Sequence, residues 1–328
     1  MPGSPDAPDP RTLVCVPPDL RARLFGRELG EARPLDDPAD RAALAEALPG
    51  TEILVTGWGM PVLDTALLDL APGLRLVAHI GASVKFFVTD EVFARGIRVT
   101  QAGQAMARPV AEVALAFTLS LLHRIHRFDH ALRGGADWHT AEQAPPRHEI
   151  LGCRVGVVGA SRTGRAYLEL VRALGAETVV SDPHFAGEPG VPAVPLDELL
   201  ATSRIVALHA PVLPETRHLL GARELALMPD GAGLVNTARS WLVDEEALLA
   251  ELRTGRIDAA IDVFDAEPLP ADHGFRTLPN VLLTPHQAAG TVEARRRQGT
   301  LVLDEIRRHR AGLPLHHEVT PEMLERMG

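Results

Sequence analysis

Residues 154–164 read RVGVVGASRTG. A short apolar run ends in a glycine turn, and a helical pattern follows over 164–174. A strand that turns through glycine into a helix aims free N–H groups and the positive end of the helix dipole at the turn. That arrangement suits an anion. The pattern Gly159-Ala160-Ser161-Arg162-Thr163-Gly164 follows G-x-G-x-x-G, with Ser161 in place of the middle glycine. In dinucleotide-binding turns that glycine lets the backbone approach a pyrophosphate. Serine is a small substitute, and Arg162 adds a charge beside it. At the end of the next apolar run, 178–181, stands Asp182. A carboxylate there accepts hydrogen bonds from ribose hydroxyls and repels a 2′-phosphate. The pattern therefore favours NAD over NADP.

Outward from this turn the chain keeps alternating. Strand-like runs at 13–17, 52–56 and 76–80 precede it, separated by helical patterns at 37–48 and 63–70. After it come strand-like runs at 205–208, 233–236, 259–263 and 281–284. Such alternation predicts parallel sheets with crossover helices. Pro109 is suited to a first helical turn and opens a long helical pattern over 110–133; another spans 291–310. Two α/β blocks with a long helix between them and one after the second imply a nucleotide domain inserted into a smaller one. The cleft between them is expected to hold the substrate.

Composition narrows the function classes. The chain has 328 residues, 46% hydrophobic and 23% charged, which fits a folded protein of two domains. A formal charge of −10 argues against a nucleic-acid partner. Two cysteines, Cys15 and Cys153, cannot build a four-ligand metal site or a disulfide framework and are read as buried thiols. His123, His126 and His130 share one helix side without a completing ligand set. They are read as a polar or dimer surface, and no metal is expected. The N-terminal MPGSPDAPDP lacks the basic and apolar regions of a signal peptide and reads as a frayed tail. The apolar run 113–122 is short of the roughly 20 residues a bilayer span needs, so a core helix, no membrane and a cytoplasmic location are expected.

Four further segments carry a family resemblance. ALHAPVLPETRHLL (207–220), LMPDGAGLVNTARSWLVDEEAL (227–248), AAIDVFDAEPLP (259–270) and NVLLTPHQAAGT (280–291) stand in this order after the phosphate turn. Together they resemble the D-isomer-specific 2-hydroxyacid dehydrogenase family. The resemblance implies two Rossmann-like domains, the NAD-binding one (107–287) inserted into a smaller flavodoxin-like substrate domain (1–106 and 288–328). It also implies a homodimer, with Trp138 in the family's dimer arm. Its implied activity is hydride exchange between NAD and a D-2-hydroxy or 2-oxo acid of the glyoxylate or hydroxypyruvate type.

The same resemblance assigns roles. Arg239 would hold the substrate carboxylate and polarise its carbonyl, for which a guanidinium fork is suited. His286 would exchange the proton, and Glu267 would fix its tautomer and favour the imidazolium. Asp262 would accept from the nicotinamide carboxamide, while Pro211, Thr237, Ala238 and Ala289 would line the cofactor. Gly81, Ala82 and Ser83 would present N–H groups to the substrate carboxylate. Lys85, the chain's single lysine, is read either as a solvated cation or as a contact to an extra acidic group on the substrate. Two rival readings use the same scaffold: an NAD-sensing co-repressor-like protein, and a formate or phosphite dehydrogenase. The Glu267–His286 pair argues against formate oxidation, which needs no general acid.

Overall fold

The computed structural model describes residues 11–325 and 327, which pack as two units. Residues 11–106 and those from Gly290 onward form unit 1; Ala107–Ala289 form unit 2. The second seam lies two residues beyond the expected position. The N-terminal ten residues, read above as a frayed tail, lie outside the described residues.

Unit 1 begins with β1 (Thr12–Cys15), α1 (Pro18–Phe25), β2 (Arg33–Leu35), α2 (Arg41–Ala47), β3 (Ile53–Thr56), α3 (Thr65–Asp69), β4 (Leu76–His79), α4 (Asp90–Ala94) and β5 (Arg98–Gln101). Its five strands are parallel in the order β2-β1-β3-β4-β5. Alternate residues enter opposite cores, as the pleat requires. Leu13, Cys15, Leu54 and Val77 meet Leu44, Leu67 and Leu68 on one face. Val14, Ile53, Val55 and Leu76 meet Leu24 and Phe25 of α1 on the other. Burial on both faces explains why β1, β3 and β4 read as unbroken apolar runs.

Unit 2 continues with α5 (Ala107–Leu122), α6 (Ile125–Arg133), α7 (Trp138–Glu142), β6 (Arg154–Val158), α8 (Arg162–Ala173), β7 (Glu177–Ser181), α9 (Leu196–Thr202), β8 (Ile205–Leu208), α10 (Ala222–Leu227), β9 (Gly233–Asn236), α11 (Glu245–Arg253), β10 (Asp258–Ile261) and β11 (Val281–Leu283). Then α12 (Val292–Arg310) and α13 (Pro321–Glu325) return to unit 1, where Val302, Leu303 and Ile306 of α12 complete the α1 face. The six strands of unit 2 are parallel in the order β11-β10-β9-β8-β6-β7. The chain leaves β6 toward β7 on one side and returns to β8 on the other. That reversal makes the C-terminal end of β6 the switch point at which open α/β sheets bind ligands.

Two expectations need correction. The long helix predicted over 110–133 is two helices, α5 and α6, separated at Arg124, whose φ is 56°. Arg124 turns inward to Asp258 Oδ2 (2.7 Å) and to the Gly231 carbonyl (2.8 Å), and this buried pairing costs the helix its continuity. His126 is not a surface residue: it is buried with Nε2 2.9 Å from Asp258 Oδ2. The segment Gly103–Leu122 has the length and apolarity of a bilayer span, and half of it is buried within the fold. Cys15 is buried, which pushes its thiol up to about 12, whereas Cys153 is only half-buried.

Candidate active site

The phosphate turn leaves β6 at Val158 and enters α8 at Arg162. Gly159 has φ 96°, and a Cβ on it would stand 2.5 Å from the Ala210 nitrogen, so both backbone angle and space demand glycine. Gly164 packs against the Gly159 carbonyl with no room for a side chain. Ser161 does not need a glycine's freedom: its φ is −64°, and its Oγ accepts from the Gly164 N–H at 3.2 Å as the N-cap of α8. Among the described residues nothing accepts from the N–H groups of Arg162 or Thr163 at the helix start. Asp182 ties the turn to the end of β7: Oδ2 accepts from Ala160 N and Oδ1 from His184 N, both at 2.7 Å. A glycine cradle, free amides at a helix start and a carboxylate at the next strand end together fit a dinucleotide.

Arg239, Glu267 and His286 come together near the C-terminal ends of β9, β10 and β11. Asn236, closing β9, donates from Nδ2 to the Arg239 carbonyl at 2.9 Å and accepts at Oδ1 from Ala238 N at 3.1 Å. This bracket fixes the backbone that carries Arg239. The guanidinium donates from Nη1 to the Ala238 carbonyl at 2.7 Å. Burial pushes its pKa down, and the Glu267 charge opposes that shift. Glu267 Oε1 accepts from Phe264 N at 3.0 Å, and its Oε2 lies 2.7 Å from His286 Nδ1. With Nδ1 engaged by the carboxylate, Nε2 is the ring atom left to exchange a proton.

Asp262, expected to face the nicotinamide, also braces the segment that carries His286. Its side chain is buried, and its oxygens accept from Thr284 Oγ1 (2.5 Å), Gln287 N (3.0 Å) and Ala288 N (3.0 Å). These three bonds bracket His286, a non-glycine residue at φ 52°. Such a backbone costs on the order of 1–3 kcal/mol and persists only where its surroundings over-determine it. Thr237 is buried, and its Oγ1 has no partner among the described residues. Pro211 takes the Thr216 hydroxyl on its carbonyl at 2.6 Å, and Ala289 is half-buried.

Unit 1 carries the remaining candidates. Among the described residues nothing accepts from the N–H groups of Gly81, Ala82 or Ser83, which leaves them for an anion. Lys85 is exposed and its Nζ lies 3.4 Å from the Glu325 carbonyl at the end of α13. Sequence reasoning missed Asn236 and the bracketing role of Asp262. The signal for Asn236 was present: a polar residue closes the otherwise apolar strand GLVN.

Residues 115–288 match the family described as D-isomer specific 2-hydroxyacid dehydrogenase, NAD binding domain. The D-3-phosphoglycerate dehydrogenase of Mycobacterium leprae is 36% identical over 287 residues, covering 86% of this chain and 53% of the relative. This chain therefore spans about half the length of that relative. The hydroxypyruvate reductase of Thermotoga maritima is 32% identical over 302 residues, covering 90% of this chain and 97% of the relative. A crystal structure of a 2-hydroxyacid dehydrogenase from Ketogulonicigenium vulgare superposes with a TM-score of 0.81 at 28% identity, covering 94% of this chain and 97% of that one.

Proposed function

The chain belongs to the D-isomer specific 2-hydroxyacid dehydrogenase family, and we propose that it interconverts a D-2-hydroxy acid and its 2-oxo acid with NAD. NADH, when bound, supplies the hydride. The chain's own residues do the rest. Arg239 holds the carboxylate of the 2-oxo acid and polarises the neighbouring carbonyl oxygen. His286 gives its Nε2 proton to that oxygen as negative charge develops on it. Glu267 keeps the ring oriented and stabilises its cationic form. In the reverse direction Nε2 takes the hydroxyl proton.

The observation that carries this reading is the 2.7 Å contact between His286 Nδ1 and Glu267 in the unit that also holds Arg239 and the phosphate turn. The test is oxidation of NADH against a panel of 2-oxo acids that starts with glyoxylate and hydroxypyruvate. Arg239→Ala and His286→Ala should each lower turnover by about 10²–10⁴-fold, with NADH binding retained. Full turnover in either variant removes that residue from the mechanism. An NAD-binding protein that turns over none of the panel would be a sensor and not an enzyme. The reading also includes a homodimer in the cytoplasm, supported for the dimer by large apolar side chains left exposed on and after α6.

A further inference from the structure

Glu267 rides on a segment that apolar packing holds only in places. Phe264 and Phe275 are buried in the core of unit 2. Between them Asp265, Ala266, Glu267 and Pro268 are all exposed, and the half-buried Leu269 leans on the core. The path of residues 265–273 therefore depends on hydrogen bonds. On one side Arg276 donates from Nη2 to the Leu269 carbonyl at 2.7 Å and from Nε to the Pro270 carbonyl at 2.8 Å. On the other, both ends of the segment meet a single carboxylate. Glu245 Oε2 accepts from Asp265 N at 3.2 Å, and Glu245 Oε1 lies 3.2 Å from His273 Nε2.

The surroundings fix the sense of the second bond. Phe275 N donates to His273 Nδ1 at 3.3 Å, so that ring atom is an acceptor and carries no hydrogen. The neutral ring then has its hydrogen on Nε2 and donates it to Glu245. Glu245 is itself well anchored, as the first residue of α11. Asp244 caps that helix by accepting from Ala247 N at 3.0 Å, and the helix dipole favours a carboxylate in the first turn.

The link to the reacting groups runs through neighbouring amides. Phe264 N donates to Glu267 Oε1 at 3.0 Å, and the next amide, Asp265 N, donates to Glu245. Two carboxylates thus hold successive N–H groups where the chain leaves β10, and a tilt of the peptide between them disturbs both bonds. Glu267 Oε2 is in turn 2.7 Å from His286 Nδ1. We propose that Glu245 and His273 are positioning residues for the proton transfer: their bond closes the loop 265–273 and sets where Glu267 meets His286. The proposal rests on the dehydrogenase reading for the reaction and adds the residues that hold its carboxylate in place.

Glu245→Gln tests it directly, because an amide has one acceptor oxygen and cannot serve two donors. The variant should lose about tenfold in kcat, as a sub-ångström misplacement of an acid–base group would, with KM for NADH and for the 2-oxo acid within about threefold of wild type. His273→Ala should behave alike. His273→Gln, which keeps a donor where Nε2 stood, should recover most of that loss, and this pair keeps the test decisive where Glu245→Gln disturbs α11. In a Glu267→Gln background Glu245→Gln should cost almost nothing more, since both act through one contact. A second readout needs no turnover. At a pH where the ring is neutral, two-bond ¹H–¹⁵N spectra of His286 show which nitrogen carries the hydrogen. In the wild type it should be Nδ1, facing Glu267, and in Glu245→Gln a share should move to Nε2. A role in stability alone would lower the denaturation midpoint and leave that share in place. Unchanged kcat, an unchanged hydrogen distribution, a loss confined to KM, or losses that add in full to those of Glu267→Gln overturn the positioning role. A wild type that reduces no 2-oxo acid, yet whose Nδ1–H share falls in Glu245→Gln, keeps the clasp and removes the dehydrogenase. Turnover in the wild type, with kcat and hydrogen distribution unchanged in the variants, does the reverse.

Discussion

His286 is held in a backbone conformation it would not choose, and the residue that holds it is Asp262. The carboxylate accepts from Thr284 on one side of the histidine and from Gln287 and Ala288 on the other. Replacing one oxygen by an amide puts a donor where an acceptor is needed. Asp262→Asn should therefore displace the imidazole without touching the cofactor turn. Since misplacement by about 1 Å can cost about 10²-fold, kcat should fall by about 10–100-fold. The dissociation constant for NADH should stay within about threefold. Stopped-flow turnover and fluorescence titration check the two numbers. A large loss of NADH affinity with kcat intact would return Asp262 to the cofactor, as the family resemblance implied. The residue types at this site were legible in sequence because each follows a strand-like run. The job of Asp262 was not, because it depends on which N–H groups the fold carries to it from β11.

At the scale of elements, the break between α5 and α6 shows what a linear pattern hides. Apolar periodicity runs through 110–133 without a glycine or proline after Pro109. The interruption comes from Asp258, far along the chain at the start of β10. Burial raises the Asp258 pKa, but hydrogen bonds from His126 and Arg127 and the charges of Arg124 and Arg127 outweigh burial and bring it to about 2. Asp258→Ala would leave Arg124, whose side chain is 2% exposed, without its counter-ion. Breaking a buried pair in this way costs about 3–5 kcal/mol, which urea denaturation should read as a lower midpoint. The pH dependence follows in sign. A carboxylate with a depressed folded pKa gives stability above its unfolded value of about 4, and that stability is lost as pH falls toward about 2. Burial also lowers His79 to about 4 and His209 to about 3. Each is stored neutral, so each gives stability above about pH 6.5 that drains away at lower pH. Denaturation midpoints should already drop between pH 7 and pH 5, before any carboxylate titrates.

For the whole molecule, the two-block order of strands and helices was legible because parallel strands buried on both faces leave apolar runs that stand out between helical patterns. What the sequence could not show is which surfaces stay uncovered. Ile125 and Leu132 lie on one face of α6, seven residues apart, and are 54% and 48% exposed. Trp138, at the start of α7, is 72% exposed, and its indole N–H donates to Glu142 Oε1 at 2.6 Å, so the ring is held out from its own unit. Leu151 adds another exposed apolar side chain, at 72%. An isolated leucine on a surface needs no explanation, but in the proposed homodimer several large apolar groups on and after one helix would supply the contact surface. A second copy of the chain covers it in the proposed homodimer. Light scattering should then give twice 35.3 kDa for the wild type at micromolar concentration. Leu132→Asp combined with Trp138→Ser should shift the mass toward 35.3 kDa. Both residues lie well away in sequence from the phosphate turn, so the monomer should still bind NADH. A wild type that already elutes at the single-chain mass would assign these side chains to local packing and withdraw the dimer.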